Sequence, residues 1–265
     1  MLEFVQEIRL RNEPLFYFGL LNLVAALAFL VLSKGTDTQV YNVSAWYKPT
    51  KFALSTTILS WSMAWYCYYL KGFNIALFSW SVIILLGFEV VYIAIQAGRG
   101  QLSHYNTSTP GYAFLYSLMA LAATAVTLYV AYVGVLFFLS RFPDLPTYYV
   151  WAIRLGIIIF VIFSFEGFVM GSRLTHTIGG SDGGEGIPFL NWSYTYGDPR
   201  IAHFIGMHAL QVLPILAFYG LKSTRATLWV AGLYGLLALF TLVQALNGQP
   251  LIRTHKMDKH EIIKK

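Results

Sequence analysis

Asp198 to Pro214 reads DPRIAHFIGMHALQVLP, and the reading of this stretch decides the fold. Aspartate followed by proline is an N-cap and first-turn pair, so a helix is expected from residue 200. The helix is apolar enough to enter a bilayer, yet it carries Arg200, His203, His208 and Gln211 in its first half. At about 1.5 Å of rise per residue, His203 lies roughly 6 Å and His208 roughly 14 Å inside its start. His208 therefore sits near the middle of a hydrocarbon layer about 30 Å thick. Ionisable groups at that depth are costly, and they face a bundle interior or a wet cavity. Pro214 removes the N–H that would bond the Leu210 carbonyl, so a kink is expected beside His208.

The rest of the chain agrees with a membrane setting. Its 265 residues are 57% hydrophobic and 11% charged, where a soluble domain carries about 25% charge. Seven apolar segments reach spanning length, at about 15–33, 52–70, 75–97, 112–139, 149–171, 200–220 and 226–246. The expected fold is all-α: a polytopic membrane helix bundle with seven transmembrane helices, forming a single domain over 1–265. Loop 172–199 is expected to act as a Gly-rich lid and 247–265 as a basic C-terminal tail. Gly19, Gly87, Gly134, Gly156 and Gly206 fall inside spans and are expected to permit close helix packing, whereas the G-x-x-x-G pair Gly167/Gly171 sits at a span end. The first apolar run is of spanning length without a small-x-small cleavage site, so no cleavable signal peptide is expected. The lone Cys67 excludes an internal disulfide and any cysteine-based metal motif. The net charge of +6 is placed mostly at helix ends and in the tail, which reads as headgroup anchoring and no nucleic-acid partner.

With seven spans the termini lie on opposite sides. Connections on the N-terminal side are short, about 71–74, 140–148 and 221–225. Those on the far side are long, about 34–51, 98–111 and 172–199, and long loops are where sites are built. All six histidines, and the helix carboxylates Glu89 and Glu166, lie on the far side or in the half of the membrane nearest it. Positive residues occur on both sides, so orientation stays open.

Candidate site residues follow from this asymmetry. Glu89 lies about 12 Å from its helix end, where a carboxylate needs a proton, a cation or a metal; it and Glu166 are the candidate catalytic carboxylates. His104, His176, His203 and His208 are the candidate metal ligands and cofactor-binding histidines. His203 and His208 are five residues apart, about 140° around a helix, so a shared ligand needs histidines from different helices. Lys48 and Lys51 open the second span, and such a pair suits an anionic group: a phosphate, a carboxylate or a haem propionate. Arg99 and Arg173 are further candidates for propionates. In the lid, Asp182 and Glu185 are cation-ligand candidates, without the spacing of a known calcium loop.

Several classes are excluded. The last span has no lysine for a retinal Schiff base, and H-x-x-x-x-H in the sixth does not match the H-x-x-x-H of seven-helix metal hydrolases. There is no H-E-x-x-H, G-x-S-x-G, P-loop or G-x-G-x-x-G. The phrases Trp46–Ser55 (WYKPTKFALS), Arg99–Pro110 (RGQLSHYNTSTP), Ser181–Ser193 (SDGGEGIPFLNWS) and Gly197–Pro214 (GDPRIAHFIGMHALQVLP) resemble those of a widespread uncharacterised family of bacterial multi-pass membrane proteins. The resemblance implies a bacterial inner (plasma) membrane and no particular activity.

Three functions remain in view. The first is a haem b or metal protein with a redox or sensing role, its partner a redox protein or a small apolar ligand. The second is an iron- or zinc-dependent membrane enzyme, hydrolase-like, acting on a lipid. The third is a proton-coupled transporter or assembly protein.

Overall fold

The structure, a computed structural model, describes residues 2–253. His255, His260 and the tail from Thr254 onward lie outside the described residues. In chain order the elements are α1 (Leu2–Arg11), α2 (Glu13–Gly35), β1 (Gln39–Val40), β2 (Val43–Ser44), α3 (Tyr47–Cys67), α4 (Ile75–Gly98), α5 (Pro110–Leu139), α6 (Thr147–Arg173), α7 (Arg200–Leu216) and α8 (Thr224–Leu246). A π-helical turn, Ala217–Leu221, extends α7.

Local chemistry sets the helix starts. Asn12, Asn74, Thr109 and Ser223 each cap a helix by accepting from the backbone N–H three residues on. Asp198 does this for α7 from one position further out, accepting from the Arg200 N–H at 3.2 Å. The end of α6 is marked by Leu174 in the left-handed region, with φ at 53°. That turn ends the helix before His176, which therefore sits in the lid and not on α6.

Six helices are long and apolar enough to cross a membrane: α2, α4, α5, α6, α7 with its extension, and α8. The chain is an integral membrane protein built as an all-α bundle. Of the seven expected spans, the second, α3, is not among these six. It has the length, 21 residues, but Lys48, Lys51 and a run of serines and threonines dilute its apolar character. Thr50, Thr56, Thr57 and Ser60 are buried, so this polarity faces protein rather than lipid. Among the described residues, α1 is an addition the spans did not foretell. It is short and charged, with Arg11 bonded to Glu7 at 2.9 Å, and it buries Ile8.

The closest helix partners are α2 with α3 and α6 with α7, whereas α3 and α7 meet only sparsely. Backbone approaches backbone where glycine leaves room. A Cβ on Gly156 would stand 2.9 Å from the Ala209 carbonyl oxygen of α7, and one on Gly134 would stand 2.7 Å from Ile157. Thr57 and Trp61 of α3 donate to the Gly19 and Phe16 carbonyls of α2 at 3.0 and 3.1 Å. Gly87 departs from expectation: a Cβ there would meet nothing nearer than 3.7 Å. The main apolar core draws on α1 to α7, including Leu15, Met63, Phe78, Val130 and Ile153. A second, alanine-rich core joins α6, α7 and α8.

Candidate functional site

A cavity of about 1470 Å³ lies between α3 on one side and α5, α6 and α7 on the other. Its α3 wall runs from Tyr47 to Tyr66, about 29 Å of helix. The walls are mainly apolar, and the far-side mouth is polar. Large apolar side chains that border it, Ile58 of α3 and Phe204 and Ile215 of α7, are exposed. With α3 and α7 in only sparse contact, the cavity forms a groove along that seam.

Two side-chain contacts tie that seam. Tyr66 of α3 donates to the Leu210 carbonyl at 2.8 Å, the same carbonyl that Pro214 deprives of its helical partner. Gln211 donates to Ser62 Oγ at 3.1 Å, and its Oε1 faces His208 Nδ1 at 3.3 Å. An amide oxygen only accepts, so Nδ1 carries the His208 proton.

The lid, residues 174–199, folds on itself over the mouth. Two isolated bridges, Ile178 with Gly197 and Gly186 with Ser193, close it into a compact loop. Asp182 is its hub. Thr175 Oγ1, Thr177 Oγ1, the His176 backbone N–H and His176 Nδ1 all donate to its carboxylate, at 2.7–3.0 Å. Burial raises a carboxyl's pKa, but the His176 and threonine hydrogen bonds outweigh it and hold Asp182 well below the usual carboxylate range. Burial, helped by the positive charges of Lys48 and Arg200, overcomes the Asp182 contact and pushes His176 down to about 4. At neutral pH the imidazole is thus uncharged, its Nδ1–H fixed on Asp182 and its Nε2 lone pair free. Asp182 is occupied by protein donors, which removes it from the cation-ligand role expected of it. The β1–β2 hairpin, turning at Tyr41 and Asn42 with φ of 56° and 59°, packs its tip against Gly183 of the lid.

The expected site residues divide into three groups. Lys51, Glu89, His104, His176, His203 and His208 all line the one cavity. Glu166 lies behind that wall, its side chain 3% exposed and 3.4 Å from His203 Nδ1. That nitrogen donates to the Phe163 carbonyl at 2.7 Å, and both Glu166 oxygens are left without a hydrogen bond. Arg99 and Arg173 are exposed and do not line the cavity.

Lys51 donates to the Leu190 carbonyl of the lid at 2.9 Å. Glu89 is buried and its Oε1 has no partner. His104 packs on Phe52, with ring centres 5.4 Å apart, and burial, then Lys48, His176 and His203, lower its pKa well below the ordinary value. Among the described residues no group of three or more His, Cys, Asp or Glu side chains could hold a metal ion.

Two contributors, Tyr66 and Tyr105, were not singled out from the sequence, and a third, Asp198, was read only as an N-cap. Tyr66 is a seam strut, and Tyr105 lies against the His176 ring at 4.8 Å between centres. Asp198 binds Arg200 Nε at 2.8 Å and the Ser193 N–H at 2.9 Å, fixing the lid to α7. Only Asp198 had a sequence signal, its N-cap pattern. Compared with models of protein families, with curated proteins and with solved structures, the chain matches none.

Proposed function

We propose that this protein binds a long-chain amphiphile drawn from the bilayer, with the tail along the α3 groove and the head under the lid. The observation that carries the reading is the groove itself. It is larger than the roughly 300–1,000 Å³ of a site for a drug-sized ligand, mainly apolar, with a cluster of charged and polar groups under the lid. In this reading α3 is the seventh crossing, its polar residues turned to the groove and to α2. The membrane is the bacterial inner membrane that the family resemblance implies. Haem b, iron or zinc as occupants gain no support from the arrangement of side chains.

The test is extraction and mass spectrometry of lipids from protein purified in a mild detergent. One long-chain amphiphile per protein is expected in the native chain. Ala123→Trp, which fills the groove from α5, should displace it. A native chain that carries no more amphiphile than the tryptophan-filled variant overturns the reading.

A further inference from the structure

The lysine pair at the start of α3 is divided in the fold. Lys51 is held by the Leu190 carbonyl. Lys48, one turn earlier and also lining the cavity, has no hydrogen-bond or ion-pair partner among the described residues. The other charges at the mouth are spoken for. Arg200 is paired with Asp198, whose side chain is fully buried, and Asp182 is saturated by His176 and two threonines.

Asp182 and Asp198 are thus both taken, and neither pairs with Lys48. Its amine is left in a partly enclosed place, where an uncompensated charge is costly. The backbone adds to it. Trp46 makes no side-chain capping bond to α3, so the positive end of that helix faces the mouth uncapped beside Lys48.

We infer that the head group of the bound amphiphile is anionic and is received by Lys48. The inference rests on the groove reading above and narrows it to one ligand class: a single long chain or pair of chains ending in a carboxylate or a phosphate. Neutral heads leave the Lys48 charge without a counter-ion and bind less well. Lys51 and Arg200 hold the lid in place around the head and do not provide the selectivity.

The experiment measures binding to the full chain in neutral-detergent micelles with three probes sharing one tail: oleate, oleoyl lysophosphatidate and monoolein. The anionic probes are expected to bind about tenfold or more tightly than monoolein, the worth of one charge-assisted contact. The tighter of the two anions tells carboxylate from phosphate. Lys48→Met should abolish the preference while leaving monoolein binding in place, and Lys48→Arg should keep it. Lys51→Met should also keep it. Should Lys48→Met fail to fold, Lys48→Gln takes its place. Equal binding of all three probes, or a preference that survives Lys48→Met or moves to Lys51→Met, overturns the inference and leaves the groove reading standing. Binding of none of the three overturns both.

Discussion

Glu89 is a buried carboxyl in a groove wall, 5% exposed and with no donor on Oε1. Nothing around it compensates a negative charge, so its amide isostere should serve the fold as well. Glu89→Gln is expected to leave the thermal midpoint of the detergent-solubilised protein within the shift set by about 1 kcal/mol. A loss of several kcal/mol would instead reveal an ionised, partnered carboxylate.

The lid offers the complementary case, where charge is fully satisfied. Both His176 and Asp182 have depressed values in the fold. From about pH 6.5 down to about 4, the opened lid takes up a proton at residue 176 that the closed lid refuses. Closure therefore weakens as pH falls through that window. Asp182 contributes stability above its ordinary value of about 4, and this is lost as pH falls further. Limited proteolysis within 178–187 should accelerate from pH 7 to pH 4. In Asp182→Asn, proteolysis should already be fast at pH 7 and vary less with pH.

At the scale of elements, Pro214 inside α7 has a partner across the bundle. The proline orphans the Leu210 carbonyl, and the Tyr66 hydroxyl of α3 supplies the missing donor at 2.8 Å. Tyr66→Phe is expected to cost about 1–3 kcal/mol, the penalty of an unsatisfied buried acceptor. Pro214→Ala restores a helical N–H to that carbonyl, so in its background the same tyrosine change should cost clearly less. Thermal or denaturant unfolding of the four proteins forms the double-mutant cycle. Equal costs in both backgrounds would mean that the hydroxyl does something other than satisfy Leu210.

This pair also marks what could be read in advance. The orphan carbonyl was legible at residue 210, because proline chemistry is local. Its donor, 144 positions away in the chain, was not, because nothing local says which helix will lie opposite. The spans were legible for the same reason, being set by apolar runs. α3 was the marginal one, since its serines and threonines serve contacts to α2 and the groove that composition alone cannot assign. Arg99 and Arg173 were drawn into the candidate site by sequence proximity to it; the helix ends point them outward. Lys48 and Lys51 looked equivalent, and only the fold of a loop some 140 residues later separated them.

For the whole molecule, the groove places Trp61 and Trp65 of α3 in its wall. A fatty acid brominated along its chain is expected to quench their fluorescence saturably at about one equivalent. Trp61→Phe with Trp65→Phe should shrink the saturable component to the share of Trp192, which also lines the cavity, and leave the linear quenching by lipid outside. A saturable component undiminished in the double variant would place the tail elsewhere.

The sparse seam between α3 and α7, taken as the way in from the bilayer that we propose, has an energetic consequence of its own. A guest that slips in from the leaflet exchanges one oily surrounding for another, so its tail gains almost nothing on arrival. Water solubility sets no limit on supply, because the relevant abundance is the guest's mole fraction among neighbouring lipids. Discrimination between such guests falls to the few polar atoms at one end.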